Sequence, residues 1–437
     1  MFARQVAAPT RPRASPYRCH PALGMLVALA LAAHPGAPSA QGGVPLTLAE
    51  AERLALTRSP QVAAQRALAD AAREMASPAG SWPDPRLIAG VDNVPTEGAD
   101  RWRLDRDPMT MTRVGLMQEF PAAEKLRFRA ERASRDAARS DVATEVAALA
   151  TRREVAVAWL ARHYAERQSR AIAAQIDEAR LQQSTTAALY GAGRASQAEV
   201  LAARTTTVEL ANRATEAALA GERARLALAR HVGAGEADRP LAPPPDVLVL
   251  PDAVAHLTDV ARQPELRLAQ AQEALLDTEA ELARAGRLPD WSAELTYGIR
   301  KAEFGNMVSL MVRVDLPWSP GTRQDREHAA KLKERDAARA QREDLARSRE
   351  AEVRQMLAEW EAMRVQAVRV RDELVPLAVR RVEAALAAYR GGSGTLAAVL
   401  EARRAELDAR LAHIGFEQSA ARAWAWLATL VPGEVMR

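Results

Sequence analysis

The chain has 437 residues, enough for a large core or two domains, yet only 4% are aromatic, and alanine supplies much of the 48% hydrophobic fraction. That composition suits long, closely packed helices better than a thick globular core. The formal charge of +4 resides wholly in Arg4, Arg11, Arg13 and Arg18, in a first stretch without acidic residues. The remainder is formally neutral, which argues against nucleic-acid binding, since that needs a basic face.

Residues 1–40 read as an export signal. The arginines precede an apolar core at 23–33, followed by Pro35 and small residues up to Ala40, with cleavage expected after Ser39 or Ala40. The apolar run is shorter than the ~20 residues a helix needs to span a bilayer. The sole cysteine, Cys19, lies ahead of that core. The cleaved chain therefore has no disulfide, no thiolate metal site and no lipid carried on cysteine.

The first half, 41–232, opens with a helix over 47–76, begun by a capping box of Thr47 and Glu50. Pro78, Pro83 and Pro85 forbid helix beyond it. Two short runs at 86–94 and 111–120 form a β-hairpin spanning 86–120. Residues 122–189 hold neither proline nor glycine, which at ~1.5 Å per residue makes a helix of roughly 100 Å. It should turn at 191–196 and return to Val232, giving a helical hairpin over 122–232. A proline-rich linker, 233–251, leads to the second half, 252–437. There the spacing predicts a helix over 252–286, a β-hairpin at 291–316 with strands 291–300 and 307–316, and a helix over 325–389. A turn at 391–394 and a return to 430 complete a second helical hairpin over 320–430.

The two halves repeat each other. Tyr190, Gly193, Val200, Leu201, Ala203 and Arg204 recur as Tyr389, Gly392, Val399, Leu400, Ala402 and Arg403. Arg58, Pro60 and Val62 are echoed by Arg262, Pro264 and Leu266, Pro83 and Asp84 by Pro289 and Asp290, and Pro121 by Pro317. In the second long helix Val353, Met356, Trp360, Met363, Ala367, Val370, Leu374 and Leu377 alternate at spacings of three and four, a coiled-coil seam. Val142, Val146, Leu149, Ala156 and Leu160 keep a looser version of that rhythm.

The short runs decide the class. Trp291, Ala293, Leu295, Tyr297 and Ile299 alternate with Ser292, Glu294, Thr296, Gly298 and Arg300. Val308, Leu310, Val312, Val314 and Leu316 alternate with Ser309, Met311, Arg313 and Asp315. Each strand thus has one apolar and one polar face. The helices own their seams already, so the apolar strand faces lack an evident partner. About ten residues per strand matches a tilted membrane crossing. Trp82, Phe120, Trp291 and Trp318 sit at one end of the runs, and Trp102 and Phe304 at the other, as interfacial girdles do. A soluble hairpin packed on helices is the competing interpretation. Four strands cannot close a water-filled barrel, and a sheet in lipid tolerates no open edge, so further copies must complete the ring. On the lumen side Glu294 and Asp315 would favour cations, whereas Arg300 and Arg313 oppose a simple cation filter.

No catalytic residue is expected. The chain lacks a phosphate-binding loop, an H-E-x-x-H helix and a nucleophile elbow, so no cofactor is implied. His163, His231, His256, His328 and His413 show no metal-ligand spacing. Met109 and Met111 lie near Asp105 and Asp107, but such a segment reads as an ordinary loop, and no high-affinity metal site is expected.

The segment Gln118, Phe120, Pro121, Lys125 and Arg127, with the twofold Tyr-x-x-Gly before a Val-Leu-x-Ala-Arg helix, resembles the TolC-like outer-membrane factor family, nearest its CzcC/CusC heavy-metal branch. Glu124 stands where that branch usually has glycine. The resemblance covers nearly all of the chain after the signal. It implies a mainly α protein with a membrane β-barrel, four strands per protomer completing a homotrimeric twelve-stranded barrel, in the outer membrane of a Gram-negative bacterium. Below the barrel a coiled-coil tunnel would cross the periplasm to a periplasmic adaptor, or membrane fusion protein, fed by an inner-membrane resistance-nodulation-division pump. Gly191, Gly193, Arg194, Ser196, Gly392, Ser393, Gly394 and Thr395 would form the adaptor-docking tips. Glu199, Arg204, Glu401 and Arg403, one or two turns away, would close the mouth as an ion-paired ring. The expected function is passive conduction of heavy-metal cations. Drug or solvent efflux, type I protein secretion, and a periplasmic scaffold or adaptor without a pore are the alternatives.

Overall fold

The computed structural model describes residues 44–251 and 260–430. The signal at 1–40 and the first residues of the second-half helix, 252–259, lie outside the described residues. Helix α1 (Leu48–Arg58) starts at Thr47, whose Oγ1 accepts the Glu50 N–H at 3.1 Å. The reciprocal half of the expected capping box is missing, because the Glu50 carboxylate is held by the Arg239 guanidinium at 2.9 Å instead.

The expected single helix over 47–76 is two helices. Ser59, with ψ at 114°, ends α1 and caps α2 (Pro60–Ala76). Proline crowds the backbone of the residue before it and drives that residue out of the α region. The second half breaks in the same place: Gln263, with ψ at 137°, precedes α5 (Pro264–Ala285). Within the described residues, then, the helix expected over 252–286 begins only at Pro264, after a 3-10 turn at Val260–Arg262.

Helix α3 (Ala123–Gly191) runs unbroken for 69 residues and returns as α4 (Gln197–Val232). Its counterpart in the second half is interrupted. Helix α6 (Gln324–Arg369) passes through a π-helical turn, Val370–Leu374, into α7 (Val375–Arg390), and α8 (Leu396–Ala428) returns. Pro376 explains the interruption, since it offers no N–H to the helix and its ring presses on the carbonyl four residues back. The extra residue in the wide turn rotates the seam. Burial continues from Ala367 and Val370 to Ala378 and Val382, whereas Leu374 and Leu377, expected in the seam, are 47% and 55% exposed.

The main core gathers where the halves meet. Trp159, fully buried on α3, donates its indole N–H to the Leu46 carbonyl at 3.1 Å. Trp360 on α6 donates to the Val247 carbonyl at 2.9 Å. Donor and acceptor are 113 residues apart in both cases, so each repeat clasps the segment that leads into it. Trp424 on α8 adds a third such bond, to the Val249 carbonyl at 3.0 Å. The proline-rich linker is therefore part of the core. It pairs with the segment just ahead of α1 through the Leu46–Leu241 bridge, and Arg162 holds the Ala237 carbonyl at 2.6 Å.

Glu52 sits on the buried side of α1, and its Oε1 has no hydrogen-bond partner among the described residues. Burial raises its pKa to about 7, and the Arg152 charge only partly opposes this. A raised carboxyl pKa means that the folded state holds the proton more tightly. Stability therefore falls as pH rises from the ordinary carboxyl range through 7. Glu52→Gln should raise the melting temperature of the solubilised protein at pH 8, by a free energy on the order of 3 kcal/mol, and change it little at pH 4. His163, held down to about 4 by burial, titrates in the opposite sense and cancels in this comparison.

Candidate channel wall and helical tips

Strands β1 (Arg86–Asp92), β2 (Met111–Phe120), β3 (Asp290–Ile299) and β4 (Met307–Asp315) form one antiparallel sheet in chain order. The register places Glu294 opposite Met117 on one side and Met311 on the other. Strand β3 shows what kind of sheet this is. Glu294 and Thr296 are only 4% and 5% exposed, while the intervening Leu295 is 56% exposed and Tyr297 and Ile299 are nearly as open. Val114, Leu116, Val308, Leu310, Val312 and Val314 continue the exposed apolar face. Water would select the opposite polarity, so this face is built for hydrocarbon. The competing soluble hairpin is thereby excluded.

The polar face is knit by ion pairs. Arg313 reaches Glu294 at 3.0 Å, and Arg113 reaches Asp92 at 3.1 Å and Glu294 at 3.7 Å. Arg113 is not among the residues expected from sequence. Its alternation with Val114 and Leu116 on β2 was the available signal. Asp315 is exposed on the edge strand, in register with Asp290. Arg300 is engaged elsewhere: its guanidinium donates to the carbonyls of Phe304 at 2.5 Å, Gly305 at 2.7 Å and Pro108 at 3.2 Å, tying the two outer loops together. Gly115 is required by proximity, because a Cβ there would come within 2.4 Å of Thr296 Cγ2 and 2.6 Å of the Leu295 carbonyl oxygen.

At the helical end of the sheet Phe120 stacks on Trp291 at 4.1 Å and Trp82 meets Phe120 edge-on at 5.2 Å. Lys125 on α3 bonds Asp290 at 2.8 Å, coupling the helical part to β3. Strands β1 and β4 bound the sheet, and neither has a second strand partner among the described residues. No described helix is long and apolar enough to cross a membrane.

The helical hairpins end in matching turns. Gly193 and Gly392 adopt φ of 68° and 75°, and the next N–H groups, of Arg194 and Ser393, bond the Leu189 and Ala388 carbonyls at 2.8 and 3.0 Å. This left-handed closure satisfies the last helical carbonyls. Gly191 is the last residue of α3, and Arg194 is exposed. Ser196 and Glu199 form the full capping box, with Glu199 Oε2 accepting the Ser196 N–H at 2.7 Å. Thr395 caps α8 through the Ala398 N–H at 3.3 Å, and Gly394 donates to the Ala388 carbonyl at 3.0 Å. Of the four residues expected at the mouth, Glu199 is used in its cap and Arg204 is exposed. Glu401 accepts from Arg381 at 2.8 Å within the second hairpin, and Arg403 pairs with Glu178 across to α3. Among the described residues no group of three or more His, Cys, Asp or Glu could hold a metal ion.

A sheet with an apolar outer face, borne on helices and carrying two open edges, is a wall segment of a membrane barrel. The outer membrane efflux protein family model matches residues 52–234 and again 260–433, and the chain belongs to that family. It is an outer membrane efflux channel of the TolC type. Solved structures share the fold. The outer membrane protein VceC from Vibrio cholerae is 18% identical with a TM-score of 0.71, covering 88% of this chain and 95% of its own. A membrane protein from Pseudomonas aeruginosa is 17% identical with a TM-score of 0.76, covering 88% and 89%. CusC is 13% identical with a TM-score of 0.75, covering 92% and 96%. Among curated proteins none matches the chain.

Proposed function

We propose that three copies complete a twelve-stranded barrel above a shared helical tunnel, and that the chain is the passive exit duct of a tripartite efflux assembly for heavy-metal cations. The reversed polarity of the sheet carries this reading: lipid covers the apolar face, the polar face lines a water-filled lumen, and the edges of β1 and β4 pair with neighbouring copies. A periplasmic adaptor docks on the tips at Gly193 and Gly392, and an inner-membrane pump supplies the energy. In support, both tips are exposed and held in fixed turns by rigid helices. Glu199, Arg204, Glu401 and Arg403 lie close behind them, where an ion-paired ring would govern the mouth. The segment 118–127 and the exposed carboxylate of Asp315 favour metal cations as cargo, whereas Glu294 is taken up by Arg313 and Arg113.

A deletion strain grown against zinc, cobalt, cadmium, nickel, copper, silver and a drug panel tests the proposal. Wild type should restore metal resistance, and the double variant Gly193→Asp, Gly392→Asp should restore none. Aspartate tolerates the left-handed region better than most residues, so the turns persist while each tip gains a charge. Sensitivity confined to drugs would discard the metal cargo. Full rescue by the double variant would discard docking at the tips.

A further inference from the structure

The inward face of the sheet holds a chemical pattern beyond its charges. Strand positions 111, 117, 307 and 311 are all methionine, and the register puts every one on the polar side. No methionine occupies an apolar, outward strand position; Val, Leu, Ile, Ala and aromatic residues fill most of the outward face. Methionines used as greasy filler would favour the lipid face, where burial in hydrocarbon is gained. Here they stand where water runs, and Met307 and Met311 are more than two-fifths exposed.

They form two tiers. In the outer tier Met307 is the cross-strand partner of Gly298, and Met111 folds over the same glycine, its Sδ 2.7 Å from where a Cβ would stand. A larger residue at 298 would displace that sulfur. In the inner tier Met117 and Met311 flank Glu294 in register, and Arg313 lies 3.8 Å from the Met117 sulfur while it pairs with Glu294. Thioethers are neutral, polarisable donors that suit soft monovalent cations and hold hard or strongly hydrated ions poorly. With the Glu294 carboxylate already paired with Arg313 and Arg113, the thioethers act as neutral soft donors that hold a +1 ion weakly enough to release it, as conduction demands.

Resting on the duct reading above, we propose that these methionine tiers are a transient binding path for soft monovalent cations, Cu(I) or Ag(I), through the barrel lumen. The full chain in planar bilayers, bathed in potassium nitrate, provides the test. Micromolar silver nitrate should interrupt the wild-type current. The variant Met111→Leu, Met117→Leu, Met307→Leu, Met311→Leu should need about tenfold more silver at unchanged potassium conductance, since Met-to-Leu exchange conserves volume. The pair Met117→Leu, Met311→Leu repeats the measurement with less disturbance of the sheet and should show an intermediate shift. In cells the variants should lose protection against silver and copper while zinc and drug tolerance stay at the wild-type level. Silver block and silver protection equal to wild type in both variants would overturn the methionine path and leave the duct standing. Absence of any wild-type conductance would remove the duct itself.

Discussion

Arginine in place of Leu310 should cost the protein much of its stability in the membrane, while arginine in place of its neighbour Ser309 should be accepted. The two residues are adjacent in the middle of β4 and face opposite ways. Leu310 is 71% exposed on the apolar face, and Ser309 faces the lumen opposite Thr296. An arginine at the midplane of a barrel's lipid face costs ~2–4 kcal/mol, and a trimer would bear that cost three times, roughly 6–12 kcal/mol. At Ser309 the guanidinium stays in water beside other charged groups. Urea titration of vesicle-reconstituted protein should show a large loss for Leu310→Arg and a shift below ~1 kcal/mol per copy for Ser309→Arg. Equal tolerance of both would mean that β4 does not face lipid.

Trp159→Ala should be the most damaging single change in the helical core. The side chain is completely buried among Leu46, Val155, Leu228 and Val232, and its truncation leaves a cavity that long helices close poorly. Such truncations cost ~3–5 kcal/mol. Trp159→Phe keeps most of the volume and loses the bond to the Leu46 carbonyl. That oxygen still receives the Ala242 N–H at 3.1 Å, so the cost should be nearer ~1 kcal/mol. Trp360, half-buried in the matching clasp, should lose less than Trp159 on truncation to alanine. Thermal unfolding in detergent ranks the variants, and proteolysis within 233–251 should rise in the same order. A Trp360→Ala loss as large as that of Trp159→Ala would refute the unequal burial of the two clasps.

Much of this architecture is legible in local pattern. The absence of proline and glycine over 122–189 foretells the 69-residue helix, and period-two alternation at 291–300 foretells both faces of β3. Glycine at 193 and 392, each three residues before a capping Ser or Thr, foretells the left-handed turns. Breaks at Ser59 and Gln263 were also legible, through the prolines that follow them. Pro376 likewise announces a disturbance, but whether a helix kinks, ends or widens there depends on what packs against it.

Other features have no local signal. Arg300 and Arg313 are alike in sequence, yet one ties the outer loops and the other neutralises Glu294, because the loop carbonyls and the carboxylate come from different strands. The Glu50 carboxylate leaves its own capping box for Arg239, 189 residues away. The linker at 233–251 shows only its prolines in sequence, yet two tryptophans, Trp360 and Trp424, and Arg162 grip its carbonyls. The sequence by itself determined the duplication, the helix lengths, the tip turns and the alternation of the strands, since each depends on residues a few positions apart. The tertiary structure alone decided which charges meet, where the seam slips past the π turn, and which methionines stand opposite Glu294 and Gly298 across the strands. Those outcomes follow from the register between strands and from contacts more than a hundred residues apart, where backbone propensity has no reach.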